Sequence, residues 1–149
     1  MANRPVENPE PQMPVHVEAA YKAAVDNIIF LKRQQWVATN YALLVYAAIF
    51  AISQHIGLTD FARNSLGAGA IGTFFIHLYM MYLFQQAMDK FRRRLYWIYR
   101  TYFNGEEQAG LELPLAPQSS WAQWEVVRAL VLVSFVGLVF TAIYLWSVR

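Results

Sequence analysis

One titratable side chain stands inside a long apolar run, where it could take part in proton transfer or ligand binding. The run LGAGAIGTFFIHLYMMYLFQQ begins at Leu66 and has His77 near its centre. Burying an ionisable group in hydrocarbon is costly, so such a residue is a candidate functional site. A proton relay or metal site also needs carboxylate or His partners at that depth, and the sequence supplies none. The alternative, which we favour, is a neutral His77 that hydrogen-bonds to Tyr46, Tyr79 or Thr141. A backbone carbonyl on the first or third span, or a bound pigment, quinone or lipid, could also be its partner.

Three glycines in the same run have the spacing of a nucleotide-binding motif. Gly67, Gly69 and Gly72 form G-x-G-x-x-G, which binds dinucleotides only at a strand-to-helix turn of a βαβ unit. Here the motif opens an apolar span, so we interpret the glycines as small residues that let another helix approach closely. The small residues predicted to pack against other helices are Ala47, Ala51, Ala68, Gly72 and Gly137.

A basic and aromatic segment, FRRRLYWIYRTYF, follows the run. Arg92, Arg93 and Arg94 lie just beyond the apolar part, where such side chains bind anionic lipid headgroups or fix the orientation of the span. The aromatic residues after them allow nucleic-acid base stacking, insertion into the membrane interface or helix packing. We favour helix packing because one apolar seam continues from the run into this segment.

Two long helices are predicted to position these residues. No proline occurs in residues 66–103, so nothing ends a helix there. The seam of this helix, at alternating steps of three and four, is Gly67, Ala70, Phe74, His77, Met81, Phe84, Met88, Phe91, Leu95, Ile98 and Tyr102. The seam of a first helix, from about residue 16 to 55, is Val17, Tyr21, Ala24, Ile28, Leu31, Ala38, Ala42, Val45, Ile49 and Ile52.

The composition is that of a small polytopic membrane protein. Hydrophobic residues make up 57% of the 149 residues, and three segments have about the 20 apolar residues that cross a bilayer. We predict an all-α membrane protein with three transmembrane helices, the first two extended into the cytoplasm as a helical hairpin. The predicted segments are a disordered Pro-rich tail (1–15), a cytoplasmic helix (16–35), a first span (36–56), a connector (57–65), a second span (66–86), a second cytoplasmic helix (87–103), an acidic loop (104–120) and a third span (124–147).

The distribution of Lys and Arg predicts the orientation. With the N-terminus in the cytoplasm, ten of the twelve Lys and Arg residues lie inside and only Arg63 and Arg149 lie outside. Cytoplasmic loops carry this excess of positive charge. Three spans then place the C-terminus on the outer side of the membrane.

Several classes of function are excluded or disfavoured by residue content. The chain has no Cys, which excludes disulfides, thiolate catalysis and Cys-ligated zinc. No HExxH, P-loop or Ser-His-Asp arrangement is present, so we expect neither an enzyme nor a cofactor. The net charge is only +2 and the basic character is local, so we expect no nucleic-acid partner. The partners expected are membrane lipids and other membrane subunits.

We therefore expect a non-catalytic membrane protein that acts by assembly, as a homo-oligomer or as an accessory subunit of a membrane complex. The alternative is a homo-oligomeric pore or channel, or a membrane effector. A pore needs a continuous polar stripe, and the candidates in the spans, Asn40, Thr73, His77 and Thr141, do not form one.

Two motifs resemble small bacterial membrane proteins of the SLATT and RipA-like octameric kinds. They are YKAAVDNIIFLKRQQW, which leads into a first span with TNYALL, and FRRRLYWIY, which follows a second span. The resemblance covers the first two spans, and the third span departs from a two-span plan. It implies a homo-oligomer in the bacterial inner membrane, with cytoplasmic helices that project from the membrane and a channel or effector role. It implies no site residues.

Overall fold

The computed structural model describes residues 13–55, 59–102 and 120–147. These residues form three α-helices: α1, Val15–His55; α2, Asp60–Tyr102; and α3, Ser120–Ser147. Each of the three is long and apolar enough to cross a membrane. The predicted tail, apart from residues 13–15, and the predicted acidic loop, apart from residue 120, lie outside the described residues.

The first two helices are about twice as long as a bilayer core is thick. At a rise of 1.5 Å per residue, the 41 residues of α1 and the 43 of α2 extend roughly 60 Å and 65 Å. The hydrocarbon core measures about 30 Å. Each helix therefore has a section that such a core cannot contain, as the predicted extension of both spans requires.

Helices α1 and α2 are antiparallel along their whole length. The rings of Tyr21 and Tyr99 meet at a centroid distance of 5.9 Å near one end. Thr39 faces His77 in the middle, and Ala42 clusters with Ala70 towards the other end. Because these pairs follow one register, a residue on α1 can be matched in depth to a residue on α2.

Helix α3 runs parallel to α1 and covers only part of the pair. Val127 and Leu130 pack against Met81, and Leu145 joins the cluster of Ala42 and Ala70. We call the three-helix section, residues 35–55, 60–85 and 124–147, the bundle. We call the two-helix section, residues 15–34 and 86–102, the arm.

The buried face of α2 follows the predicted seam in part: six of the eleven seam residues are buried, and the other five are half-buried, namely Phe74, Phe84, Phe91, Leu95 and Tyr102. Its buried residues are Gly67, Ala70, His77, Met81, Gln85, Met88 and Ile98. The seam included Phe84, which is only half-buried, and omitted Gln85, which is 1% exposed. A hydrocarbon surround would produce this difference, because hydrocarbon accommodates a Phe ring readily but a Gln amide poorly.

The predicted seam of α1 is confirmed in the bundle at Ala42 and Ile49, which are buried, but is wrong at two other positions. Val45 and Ile52 are 40% and 45% exposed, and the neighbouring Tyr46 and Ser53 are buried instead. In a span that is apolar on every face, apolar periodicity does not distinguish the lipid side from the protein side. In the arm, the predicted seam is confirmed at Val17 and Ala24, which are buried.

The connector predicted at residues 57–65 is also too long, because α2 already begins at Asp60. The Oγ1 of Thr59 accepts a hydrogen bond from the backbone N–H of Ala62 at 3.2 Å, the geometry of a helix N-cap. Asp60 in the first turn adds a favourable interaction with the positive end of the helix. The Thr-Asp pair was the signal for this helix start.

Gly137 marks a close approach of α3 to α1. A methyl group added there would lie 2.8 Å from Cδ2 of Tyr46 and 3.3 Å from Cδ2 of Leu43. A methyl group added at Gly69 meets no atom within 4 Å. The two glycines therefore form a matched pair for substitution, one at a helix contact and one in open space.

We predict that Gly137→Ala destabilises the protein by about 1–3 kcal/mol, because the added carbon overpacks the contact between α1 and α3. Gly69→Ala should leave stability unchanged or raise it slightly, because Ala favours a helix over Gly. Thermal unfolding of both variants in detergent micelles measures the difference. Equal midpoints for the two variants would show that α3 does not pack against Tyr46 in this way.

Candidate functional site

Polar side chains occupy much of the interior of the bundle. The buried polar residues are Gln35, Thr39, Ser53, His77, Gln85, Ser134 and Thr141, none of them more than 3% exposed. Large apolar side chains such as Phe75, Phe140 and Ile143 are exposed on the outside. This inside-out arrangement suits a protein surrounded by lipid, in which polar groups find partners only within the protein.

The buried hydroxyl groups far from the arm have hydrogen-bond partners within the chain. The hydroxyl of Thr141 donates to the Gly137 carbonyl at 2.8 Å, and that of Ser53 donates to the Phe50 carbonyl at 2.7 Å. The hydroxyl of Tyr46 lies 3.3 Å from Oγ of Ser134. These residues therefore require no further ligand.

The contact between Thr39 and His77 defines the tautomer of a neutral His77 ring. The Thr39 hydroxyl donates to the Gln35 carbonyl at 2.9 Å, and its Oγ1 lies 3.0 Å from Nε2 of His77. A hydroxyl has one proton to give, so Nε2 must be the donor to Oγ1. Nδ1 then keeps a free lone pair, and it has no hydrogen-bond partner among the described residues.

Two glutamines lie on the arm side of this contact with unpartnered amides. Nε2 of Gln35 and both Nε2 and Oε1 of Gln85 are buried without a hydrogen-bond partner in the described chain. Gln35 is one turn from Thr39, and Gln85 is two turns from His77 along the antiparallel helix. The two amides thus lie within about one helical turn, roughly 5.4 Å, of each other in depth. We call Gln35, Thr39, His77 and Gln85 the polar cluster.

Three of these four residues were not identified from sequence. Gln35 and Gln85 stand near the ends of apolar runs and were interpreted as boundary residues, and Thr39 was not singled out. The available signal was spacing: Gln85 follows His77 by eight residues and Thr39 follows Gln35 by four, which keeps each pair on one helix face.

The predicted lipid-binding arginines lie on the arm. Arg92 is half-buried and forms an ion pair with Asp89 at 3.2 Å, whereas Arg93 and Arg94 are exposed. Exposed guanidinium groups in this position are available to phosphate groups. Headgroup binding stays a prediction.

The small residues predicted to pack helices divide into two groups. Gly137 faces inward and touches Tyr46. Ala47, Ala51 and Ala68 are exposed, and a methyl group added at Gly72 would meet nothing within 4 Å. The second group therefore does not hold the three helices of one chain together, and its packing role stays a prediction about contact with another chain.

The remaining sequence motifs do not build a site. Gly67, Gly69 and Gly72 all lie inside helix α2, so their spacing does not form the strand-to-helix turn that binds a dinucleotide. Within residues 13–55, 59–102 and 120–147, no three His, Asp or Glu side chains are grouped so as to hold a metal ion.

No protein-family model, no curated protein and no solved structure matches the chain. The resemblance to the SLATT and RipA-like proteins stays a prediction carried by its two sequence motifs.

We predict that Thr39→Val destabilises the protein by about 1–3 kcal/mol, because Nε2–H of His77 loses its buried acceptor. Thr39→Ser keeps a hydroxyl and should restore most of the loss. Thr73→Val is the control, because the Thr73 hydroxyl bonds only the Gly69 carbonyl of its own helix. Unfolding in detergent micelles measures all three.

The double variant Thr39→Val/His77→Phe separates the hydrogen bond from the packing of each side chain. If the bond exists, the double variant loses less stability than the sum of the two single variants. Additive losses would show that Thr39 and His77 do not interact.

Proposed function

We propose that this protein is a non-catalytic integral membrane protein that acts by assembling with copies of itself through its transmembrane helices. The observation that carries the proposal is the outward position of Ala47, Ala51 and Ala68. Close helix contact is the chief driving force for association in lipid, and small residues permit it. The same faces would allow docking as an accessory subunit on other membrane proteins.

The register of α1 against α2 supports a contact in which α1 of one copy packs against α2 of another copy. Thr39 pairs with His77, and the helices are antiparallel, so Ala47 is level with about residue 69 of α2. The small residues of α1 and of α2 therefore lie at the same depth but on two different helices. Helix α1 of one copy can pack against α2 of the next, a head-to-tail contact that closes into a ring.

The arm supplies a second surface for assembly. Ile29, Phe30 and Trp97 are between 55% and 61% exposed. Outside the membrane, an apolar surface of this kind is typical of a protein interface. A neighbouring arm in the same ring would cover it.

We propose that the arm lies in the cytoplasm and that the spans cross the bacterial inner membrane. The arm holds most of the positive charge of the chain, including the exposed Lys32, Arg33, Arg93 and Arg94, and positive charge favours the cytoplasmic side. Anionic headgroups at that surface would be the ligands of Arg93 and Arg94.

A pore is supported less well than assembly alone. The buried polar residues of the described spans face the interior of a single chain, whereas a pore between subunits needs a polar stripe on an outer face. Asn40 is exposed, but its neighbours on that face, such as Leu44 and Ala47, are apolar. Ion flux above background in liposomes would favour the pore.

We predict that the protein has the mass of an oligomer in native mass spectrometry from nanodiscs. Ala47→Leu/Ala51→Leu should shift the population towards the monomer, because the larger side chains keep a neighbouring helix at a distance. Ala129→Leu, at another exposed alanine, is the matched control and should leave the mass unchanged. A monomeric parent protein, or an oligomer unaffected by the α1 substitutions, would contradict the proposal.

The side of the membrane on which the arm lies can be tested separately by thiol labelling. Because the chain has no Cys, each single-cysteine variant carries one thiol. In intact spheroplasts, a membrane-impermeant maleimide should label Asp60→Cys at the end of the bundle. It should label Lys22→Cys in the arm only after lysis. The reverse pattern would place the arm outside.

A further inference from the structure

We propose that the polar cluster of Gln35, Thr39, His77 and Gln85 binds water molecules in an enclosed site inside the bundle, on the arm side of the contact between Thr39 and His77. The proposal depends on the packing of α1 against α2 and not on assembly into an oligomer.

The need for a ligand arises from four atoms. Nδ1 of His77, Nε2 of Gln35, and Nε2 and Oε1 of Gln85 are buried and have no hydrogen-bond partner in the described chain. Buried polar atoms in folded proteins are nearly always paired, with protein or with ordered water. Four such atoms at one α1–α2 interface, when the buried hydroxyls farther along the bundle have hydrogen-bond partners, indicate a site that is incomplete without its ligand.

The ligand must both donate and accept hydrogen bonds. Nδ1 of His77 and Oε1 of Gln85 accept, and the amide nitrogens of Gln35 and Gln85 donate. A water molecule does both, and a buried water typically makes about three hydrogen bonds to otherwise unsatisfied groups. Two water molecules can therefore serve all four atoms.

The ligand must also be small. The four side chains are no more than 3% exposed in the single chain, so neither a side chain of a second copy nor a lipid headgroup reaches them. A direct bond between Gln35 and Gln85 would satisfy two amide atoms but would leave Nδ1 of His77 without a donor. Water fits both limits.

The site closes on the side away from the arm. Beyond Thr39 and His77 the interface is filled by the cluster of Ala42, Tyr46, Ile49, Ala70 and Leu145. The polar groups at that level, such as Tyr46 and Ser134, bond each other. Water bound between the glutamines and His77 is therefore confined to the arm side of this cluster.

Water-edited solid-state NMR on protein labelled with ¹⁵N-histidine, reconstituted in bilayers, tests the site. The chain has three histidines, and the signal that disappears in His77→Phe is that of His77. We expect magnetisation to pass from water to Nδ1 of His77, at a rate approaching that of the exposed His16. No transfer to His77 while His16 receives it would overturn the proposal.

The variants test the role of the glutamines. Gln35→Leu/Gln85→Leu should reduce the transfer to His77 strongly, whereas Gln86→Leu, at the exposed neighbouring position, should not change it. Unchanged transfer in the double variant would overturn the proposal. So would a direct amide contact between Gln35 and Gln85 with no signal from water.

Thermal stability gives an independent readout. If the amides are bound to water, replacing them with Leu removes satisfied groups and should not raise the unfolding midpoint. If the amides are dry and unpaired, the same substitution relieves a desolvation penalty and raises the midpoint. A higher midpoint in the Gln35→Leu/Gln85→Leu variant, relative to Gln86→Leu, would overturn the proposal.

Discussion

The hydrocarbon core of a bilayer offers no water to polar groups, and the three helices of this chain pack as that constraint would require. Each helix is long and apolar enough to cross a membrane, and each carries polar side chains that lipid cannot satisfy. The helices turn those side chains towards one another. The contact between Thr39 and His77 is the clearest result, because it pairs polar residues from two spans and fixes the register of α1 against α2.

The α1–α2 pair is longer than α3, so the molecule has two sections, the three-helix bundle and the two-helix arm. In the bundle, α3 covers the polar interface, and Gly137 lets it approach Tyr46 closely. In the arm, α1 and α2 continue without α3 and pair through apolar and aromatic residues such as Val17, Ile98, Tyr21 and Tyr99. One helix interface therefore changes from polar to apolar contacts over a length greater than a bilayer core.

The sequence predicted the helices and most of the α2 face, but not the full interior. The existence of the three helices follows from apolar length and the absence of proline, and the α2 seam follows from apolar and small residues that recur at alternating steps of three and four. The α1 seam failed at Val45 and Ile52 because apolar residues mark the lipid side as readily as the protein side. Gln35 and Gln85 were missed for the same reason. In a membrane protein, polar residues indicate the buried positions more reliably than apolar residues do. Orientation, assembly and lipid binding depend on a membrane and a second chain, so the fold of one chain does not test them.

The most direct test of this account is a spin-label scan of residues 36–53 in bilayers, with collision by oxygen and by a water-soluble nickel complex measured at each position. The account predicts high oxygen and low nickel accessibility across the span. It also predicts oxygen minima at residues 39, 42, 46, 49 and 53, where the side chains are buried. Minima of oxygen accessibility at residues 45 and 52 would show that the predicted apolar seam faces the protein, and they would contradict a polar interior. High nickel accessibility throughout would contradict a transmembrane position altogether.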